Sequence, residues 1–364
     1  MKSNGKTVLL ALSGGVDSAV AAMLLKKQGY RVITAFMKNF SDTKDPMTNR
    51  CSWKKERDMA MKIAYSLNMP FITLDFEKEY KKQVINPMFE NYKKGKTPNP
   101  DILCNSIIKF PLLWKAAKRL NASMIATGHY SRIKRDAKGY HLLTANDLSK
   151  DQSYFLAELS EEDLSHILFP IGNYAKKQIR EMAKKHKFPN WNKQSTRGVC
   201  FIGDIDFHKF LREKIKEKPG KVISPEGLVL GSHKGIAFCT IGQKALPSQG
   251  ILINKPKNQA QERFYVAEKR KNNILVVAPE GHPALKRKKI LIKSLHLINK
   301  NRKIPKQIKA RIRHLGSFHL GQLNKTKSGW EFTFSNPLEA LAEGQYIALY
   351  KGQEVIGCGE MQTG

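Results

Sequence analysis

A chain of 364 residues exceeds what one hydrophobic core usually organises, so two or three domains are expected. Lysine and arginine number 64 against 31 acidic residues, and a formal net charge of +33 points to a polyanionic partner. The first apolar run is too short and too soon broken for a signal peptide, and no segment approaches a membrane-spanning helix, so a cytoplasmic protein with no membrane partner is expected.

Residues 7–18, TVLLALSGGVDS, read as a buried strand, a glycine turn at Ser13-Gly14-Gly15, and the start of a helix at Asp17-Ser18 that ends near Gly29. A second strand follows at 30–37, giving a βαβ unit. Glycines let backbone N–H groups approach an anion, and the helix N-terminus adds positive potential. The turn is no Walker loop, because no lysine precedes Ser18, and no nucleophile elbow, because position 11 is alanine. The string resembles the PP-loop of the N-type ATP pyrophosphatases, which implies that the turn holds the pyrophosphate end of ATP and that Asp17 helps place Mg²⁺. A structural glycine turn is the plain alternative.

Met37 ends the second strand, where a doubly wound sheet places its ligand, so it either touches adenine or fills the core. Residues 40–50 read as loop, 52–68 as helix, 71–76 as a third strand and 77–95 as a basic helix. In KTPNPDILCN (96–105) two prolines stiffen the chain, and Asp101 as N-cap would put Cys104 in a first helical turn, where the dipole lowers a thiol's pKa. An inert cysteine in a capped helix is the alternative. A helix over 106–120 leads to a strand at 124–127, then Gly128-His129-Tyr130 on the ligand side. His129 is either catalytic or a packed histidine. A turn at 132–139, a strand at 140–143, a helix starting at Lys150-Asp151-Gln152 and helices over 160–186 complete this domain.

Arg197 and Lys193 flank Cys200 and would stabilise its thiolate. From about 205 the chain turns to short β-like runs: 222–223, 235–240, 263–267 and 273–277 suggest a small α/β module. Strands at 290–298, 309–313, 330–334, 346–351 and 355–360 suggest a β-barrel. Basic clusters at 286–289 and 300–313 either track a phosphate backbone or form a solvated face. The five cysteines include no CxxC pair, so neither structural zinc nor an iron–sulfur cluster is expected.

SGGVDS, TPNPDILCN, ATGHYSR, KDQSYFL and GVCFIGD occur in this order, followed by CTIGQ (239–243) and LEALAEGQ (338–345). Together they resemble the bacterial tRNA-specific 2-thiouridylases across essentially the whole chain. The resemblance implies an α/β chain with an N-terminal doubly wound parallel sheet and PP-loop (1–204), a small central α/β module (205–282) and a C-terminal β-barrel (283–364). It implies ATP contacts at Ala11, Leu12, Ser13, Gly14, Gly15, Val16, Asp17, Ser18, Met37 and Gly128. It places Asn99, Pro100 and Asp101 at the target base and Lys150, Asp151, Gln152, Arg313 and His314 on tRNA, with His314 where the family usually has tyrosine. Lys244-Ala245-Leu246-Pro247 departs from the family pattern. The implied reaction activates the 2-carbonyl oxygen of a wobble uridine with ATP. Sulfur then comes from a Cys200 persulfide, supplied by a sulfur-relay protein, with Cys104 assisting and Asp101 as a candidate acid/base. A small-molecule PP-loop synthetase, an RNA-binding protein with a dead loop, and an enzyme modifying another tRNA base are the rival readings.

Overall fold

The structure, a computed structural model, describes residues 5–41, 52–194, 207–254, 261–327 and 329–362. The first sheet is parallel. Strand β1 (Thr7–Ala11) lies between β2 (Arg31–Lys38) and β4 (Met124–Ala126), with β3 (Phe71–Asp75) and β7 (Ile167–Leu168) at the edges. Val8, Leu9 and Leu10 are all fully buried, because alternate side chains point to opposite faces and both faces are covered. Val8 and Leu10 pack with helices α1 (Val16–Lys27), α2 (Ser52–Ser66) and α8 (Lys176–Lys185). Leu9 packs on the other side with Phe110, Leu113 and Ala117 of α6 (Phe110–Arg119). This is the doubly wound arrangement expected.

Helix α3 (Glu77–Tyr80) runs through a wide π turn at Lys81–Ile85 into α4 (Asn86–Lys93). Helix α5 (Pro100–Leu103) does the same through Cys104–Lys109 into α6. The helices expected over 160–186 are α7 (Glu161–Ser165) and α8, with the two-residue β7 between them. Ile167 and Leu168 continue the sheet beside β4, and Pro170 withholds a helical N–H. Lys150-Asp151-Gln152 starts no long helix. Asp151 accepts hydrogen bonds from the N–H groups of Ala145 and Ser153, which fold the chain into a loop before a single 3₁₀ turn at Ser153–Leu156.

After α9 (Phe207–Lys214), the central module is a five-stranded sheet of β8 (Gly220–Ile223), β9 (Val229–His233), β10 (Ile251–Ile253), β11 (Phe264–Arg270) and β12 (Ile274–Pro279), in the order β10-β9-β8-β12-β11. The strand expected at 235–240 is instead a 3₁₀ turn at Ile236–Phe238. The last module is a closed antiparallel barrel. Its strands β13 (Lys286–Leu297), β16 (Gly329–Glu339), β15 (His319–Thr326), β14 (Ile308–Arg311), β17 (Tyr346–Lys351) and β18 (Glu354–Gln362) pair in that order, and β18 returns to β13. Ile290, Phe332, Phe334, Ile347, Leu349 and Ile356 fill its interior. The hairpin of β5 (Ser131–Asp136) and β6 (Gly139–Thr144), which belongs to the N-terminal part of the chain, pairs with β18 through Leu142 and Leu143 and so splices the first domain onto the barrel.

Candidate active site

The C-terminal end of β1 opens the first half of the site. Gly14 has φ +75°, and a Cβ there would lie 2.4 Å from the Glu56 carbonyl oxygen, so glycine is required. Ser18 Oγ donates to the Gly15 carbonyl at 3.1 Å and accepts from the Ser13 N–H at 3.2 Å, which holds the turn closed. Asn190 Nδ2 donates to the Gly14 carbonyl at 2.9 Å from the far side. Leu12 and Val16 are buried, so only their backbone groups can face a ligand, as the anion-nest reading requires. Gly128 packs directly on the start of α1, where a Cβ would lie 2.7 Å from Ser18 N. Met37 is partly buried against the second core cluster near the end of β2.

Asp17 lies in the first turn of α1 and already has two partners. Tyr130 donates its hydroxyl to Oδ1 at 2.8 Å, and Lys176 Nζ lies 2.5 Å from the same oxygen. Burial, and then the Asp17 carboxylate, push the Tyr130 phenol well above its usual pKa, so it stays a donor. Gln152 accepts from the Tyr130 N–H at 2.9 Å and returns its own N–H to the Tyr130 carbonyl. The segment assigned to tRNA is thereby tied to the phosphate loop through one residue.

His129 is a neutral packed histidine. Burial, and secondarily the Lys109 ammonium, hold its pKa well below the ordinary value. Thr127 Oγ1 lies 2.7 Å from Nδ1, and Lys109 Nζ lies 3.4 Å from Nε2. Lys109 ends the wide turn that begins at Cys104, so the cysteine helix reaches the glycine loop by way of His129 and Gly128.

The cap expected at Asp101 is a correction. Asn99 is the N-cap, its side chain accepting from the Ile102 N–H at 3.2 Å, with Pro100 at the first helical position. Cys104 therefore sits beyond the first turn, buried at 5% exposure, and the dipole argument for its thiol loses its geometric basis. The loop ahead of it is held by the barrel. Gln345 Nε2 donates to the carbonyls of Thr97 at 2.9 Å and Pro98 at 3.2 Å, and Asn99 Nδ2 donates to Gln345 Oε1 at 3.4 Å. Lys96 pairs with Glu343 at 2.8 Å, and the Thr97 N–H donates to the Glu343 carbonyl. Asn105 Nδ2 donates to the Phe155 carbonyl at 3.1 Å.

Of the residues assigned to tRNA, Lys150 and Arg313 are exposed. Asp151 is not available: it is fully buried, and Arg311 Nη1 donates to its Oδ2 at 2.5 Å. A direct contact of Asp151 with RNA is corrected to a structural ion pair, because its lone pairs are spent inside the protein. His314 packs against Phe155 with ring centroids 4.3 Å apart and the planes tilted by 31°, and burial lowers its pKa to about 4. Cys200 and Arg197 lie outside the described residues. Lys193 places its ammonium 2.5 Å from both carboxylate oxygens of Glu56; its expected effect on the Cys200 thiolate involves a residue outside the described ones. Among the described residues no group of three or more His, Cys, Asp or Glu side chains is gathered for a metal ion. A single carboxylate, Asp17, beside a phosphate loop still fits Mg²⁺, which takes most of its ligands from phosphates and water.

Sequence reasoning missed Lys176, Tyr130, Phe155, Arg311 and Asn190. Tyr130 lay inside one noted motif and Gln345 closed another, but nothing local marks Lys176 among 64 basic residues.

A doubly wound sheet with a glycine turn after its first strand, followed by a closed β-barrel that holds a proline-stiffened cysteine loop, places the chain in the class of α/β proteins with an ATP-binding PP-loop domain. Family models described as tRNA methyl transferase HUP domain, tRNA methyl transferase PRC-barrel domain and aminomethyltransferase beta-barrel domain match residues 6–204, 208–279 and 287–361. The chain is 35% identical to the tRNA-specific 2-thiouridylase of Flavobacterium johnsoniae, over 97% of this chain and 99% of that protein. It is 37% identical to a tRNA-specific 2-thiouridylase of Geobacillus kaustophilus, over 97% and 94%. The chain belongs to the tRNA-specific 2-thiouridylase family. Among solved structures, a 4-thiouridine synthetase–RNA complex with bound ATP is similar at 17% identity and a TM-score of 0.37, over 57% of this chain and 50% of that one, too distant to bear on the site.

Proposed function

We propose that this protein thiolates the 2-position of the wobble uridine of tRNA, as a cytoplasmic tRNA-uridine 2-sulfurtransferase with domains at 1–204, 205–282 and 283–364. ATP lies along Ala11–Ser18, with Met37 and Gly128 at its other contacts, and Asp17 would hold Mg²⁺, which would supply charge neutralisation to the phosphates. The uracil carbonyl oxygen attacks the α-phosphate, pyrophosphate leaves, and AMP becomes the leaving group at C2. The sulfur comes from a persulfide on Cys200, loaded by a relay protein. Cys104 attacks that persulfide or assists its transfer, and a Cys104–Cys200 disulfide is reduced between turnovers. Asp101 serves as acid/base next to Asn99 and Pro100, which meet the flipped base. Lys150, Gln152, Arg313 and His314 meet the tRNA, and the basic barrel follows the phosphates of the anticodon stem.

Family membership over nearly the whole chain carries this reading. The geometry supports it: the cysteine helix runs from the barrel-gripped loop to His129 and Gly128 beside the phosphate turn. The test is mass spectrometry of the wobble nucleoside after incubation with unmodified tRNA, ATP, Mg²⁺ and a persulfide donor, alongside Cys104→Ser and Cys200→Ser. An oxygen-to-sulfur change needing ATP and both cysteines is the expected result. ATP cleavage without tRNA and without thiolation would favour a small-molecule synthetase instead.

A further inference from the structure

A phosphate loop of the Walker type carries its own lysine; this one has none before Ser18. The fold supplies a lysine from 159 positions away. Lys176 opens α8, and its Nζ lies 2.5 Å from Asp17 Oδ1, in the first turn of the helix that the glycine turn starts. The ammonium also lies 5.7 Å from the centre of the Tyr130 ring. Its backbone is pinned, because the Lys176 N–H donates to Asp147 Oδ2 at 2.9 Å. The side chain is 14% exposed and that of Asp17 is 29% exposed, so the pair sits at the edge of the site rather than in the core.

We propose that Lys176 is the phosphate-binding cation of the glycine loop, held by Asp17 until ATP or pyrophosphate enters and then transferred to a phosphate oxygen. The proposal rests on the ATP-dependent reading above. A bare carboxylate at the mouth of an anion site would repel phosphate, and the Lys176 ammonium neutralises it. A polyphosphate carries more charge than one carboxylate and draws the ammonium away from Asp17. The move needs no backbone change. The main chain of Lys176 is fixed, and a flexible four-carbon stem carries a compact charge across the gap.

A purely structural pair, joining α8 to α1, would leave anion affinity untouched, which makes the two roles separable. The experiment is calorimetric titration of the full-length protein with inorganic pyrophosphate and with ATP, each with Mg²⁺, for wild type, Lys176→Met and Lys176→Arg. Filter binding of tRNA and thermal unfolding are measured in parallel. Lys176→Met should weaken both ligands by about tenfold or more, with most of the affinity recovered in Lys176→Arg and tRNA binding unchanged. Pyrophosphate affinity within about twofold of wild type in Lys176→Met would overturn the assignment. Should that variant not fold, acetylation footprinting of the wild type decides: pyrophosphate must protect Lys176, and unchanged labelling overturns the proposal. A Lys176-dependent pyrophosphate affinity in a protein that thiolates no tRNA would sink the thiolation reading and leave this assignment standing.

Discussion

Arg311 of the barrel donates from Nη1 to Asp151 Oδ2 of the N-terminal domain at 2.5 Å, with both side chains buried. The guanidinium lies 3.9 Å from the centre of the Phe318 ring, and the carboxylate also accepts from Ser153 Oγ at 2.8 Å. Removing one partner strands a buried charge. Arg311→Met should therefore destabilise the protein by about 3 kcal/mol, read as a lower urea midpoint, and should expose the junction to proteases. A loss below about 1 kcal/mol would show that the pair does not hold the domains together.

Gln345 holds the loop ahead of Cys104 through two donated hydrogen bonds and one accepted. Gln345→Ala should lower the thiolation kcat by about tenfold while changing the KM for tRNA less, since a loosened loop misplaces the reacting groups. Gln345→Glu should be worse, because a carboxylate would face the Thr97 and Pro98 carbonyls. Equal or better activity in Gln345→Glu would rule out the positioning role.

Gly128→Ala drives a methyl group to 2.7 Å from Ser18 N and 2.9 Å from Ser18 Cα. The neighbour is backbone at the start of α1, so the helix must shift. We expect a loss of about 1–3 kcal/mol by thermal unfolding and a sharp fall in ATP affinity by titration. Unchanged ATP binding would separate this contact from the nucleotide site.

His314 has its pKa lowered to about 4, by burial first and then by Arg311 and Lys150, with Asp151 opposing. A histidine depressed in the folded state is protonated more readily when unfolded. Its contribution is present above about pH 6.5 and is lost as pH falls towards 4. His314→Tyr keeps an aromatic ring for Phe155 and removes the titration. It should retain about 1–2 kcal/mol more of its neutral-pH stability at pH 4 than the wild type, after allowance for partial exposure. Parallel pH–stability curves for the two proteins would contradict this.

What was legible in the chain was local. A run of apolar residues ending in Ser13-Gly14-Gly15 and a capped helix announces a strand and an anion turn, because glycine geometry and dipoles act over a few residues. Short apolar runs at 346–351 and 355–360, separated by a glycine turn, announced barrel strands for the same reason, and β17 and β18 are found there. The strand β15 went unread, since its polar sequence HLGQLNKT pairs by register with β14 and β16 rather than by a clear apolar period. The helix start moved from Asp101 to Asn99 because Asn99 supplies the side-chain acceptor and Pro100 tolerates only the first turn.

The partners of the site residues belong to tertiary structure. Asp17 meets Lys176 across 159 positions, Asp151 meets Arg311 across 160, and Thr97 meets Gln345 across 248. Nothing in a lysine's own neighbourhood distinguishes a solvated charge from one aimed at a carboxylate. That distinction arises only when packing brings two distant elements within hydrogen-bond reach and removes the water between them.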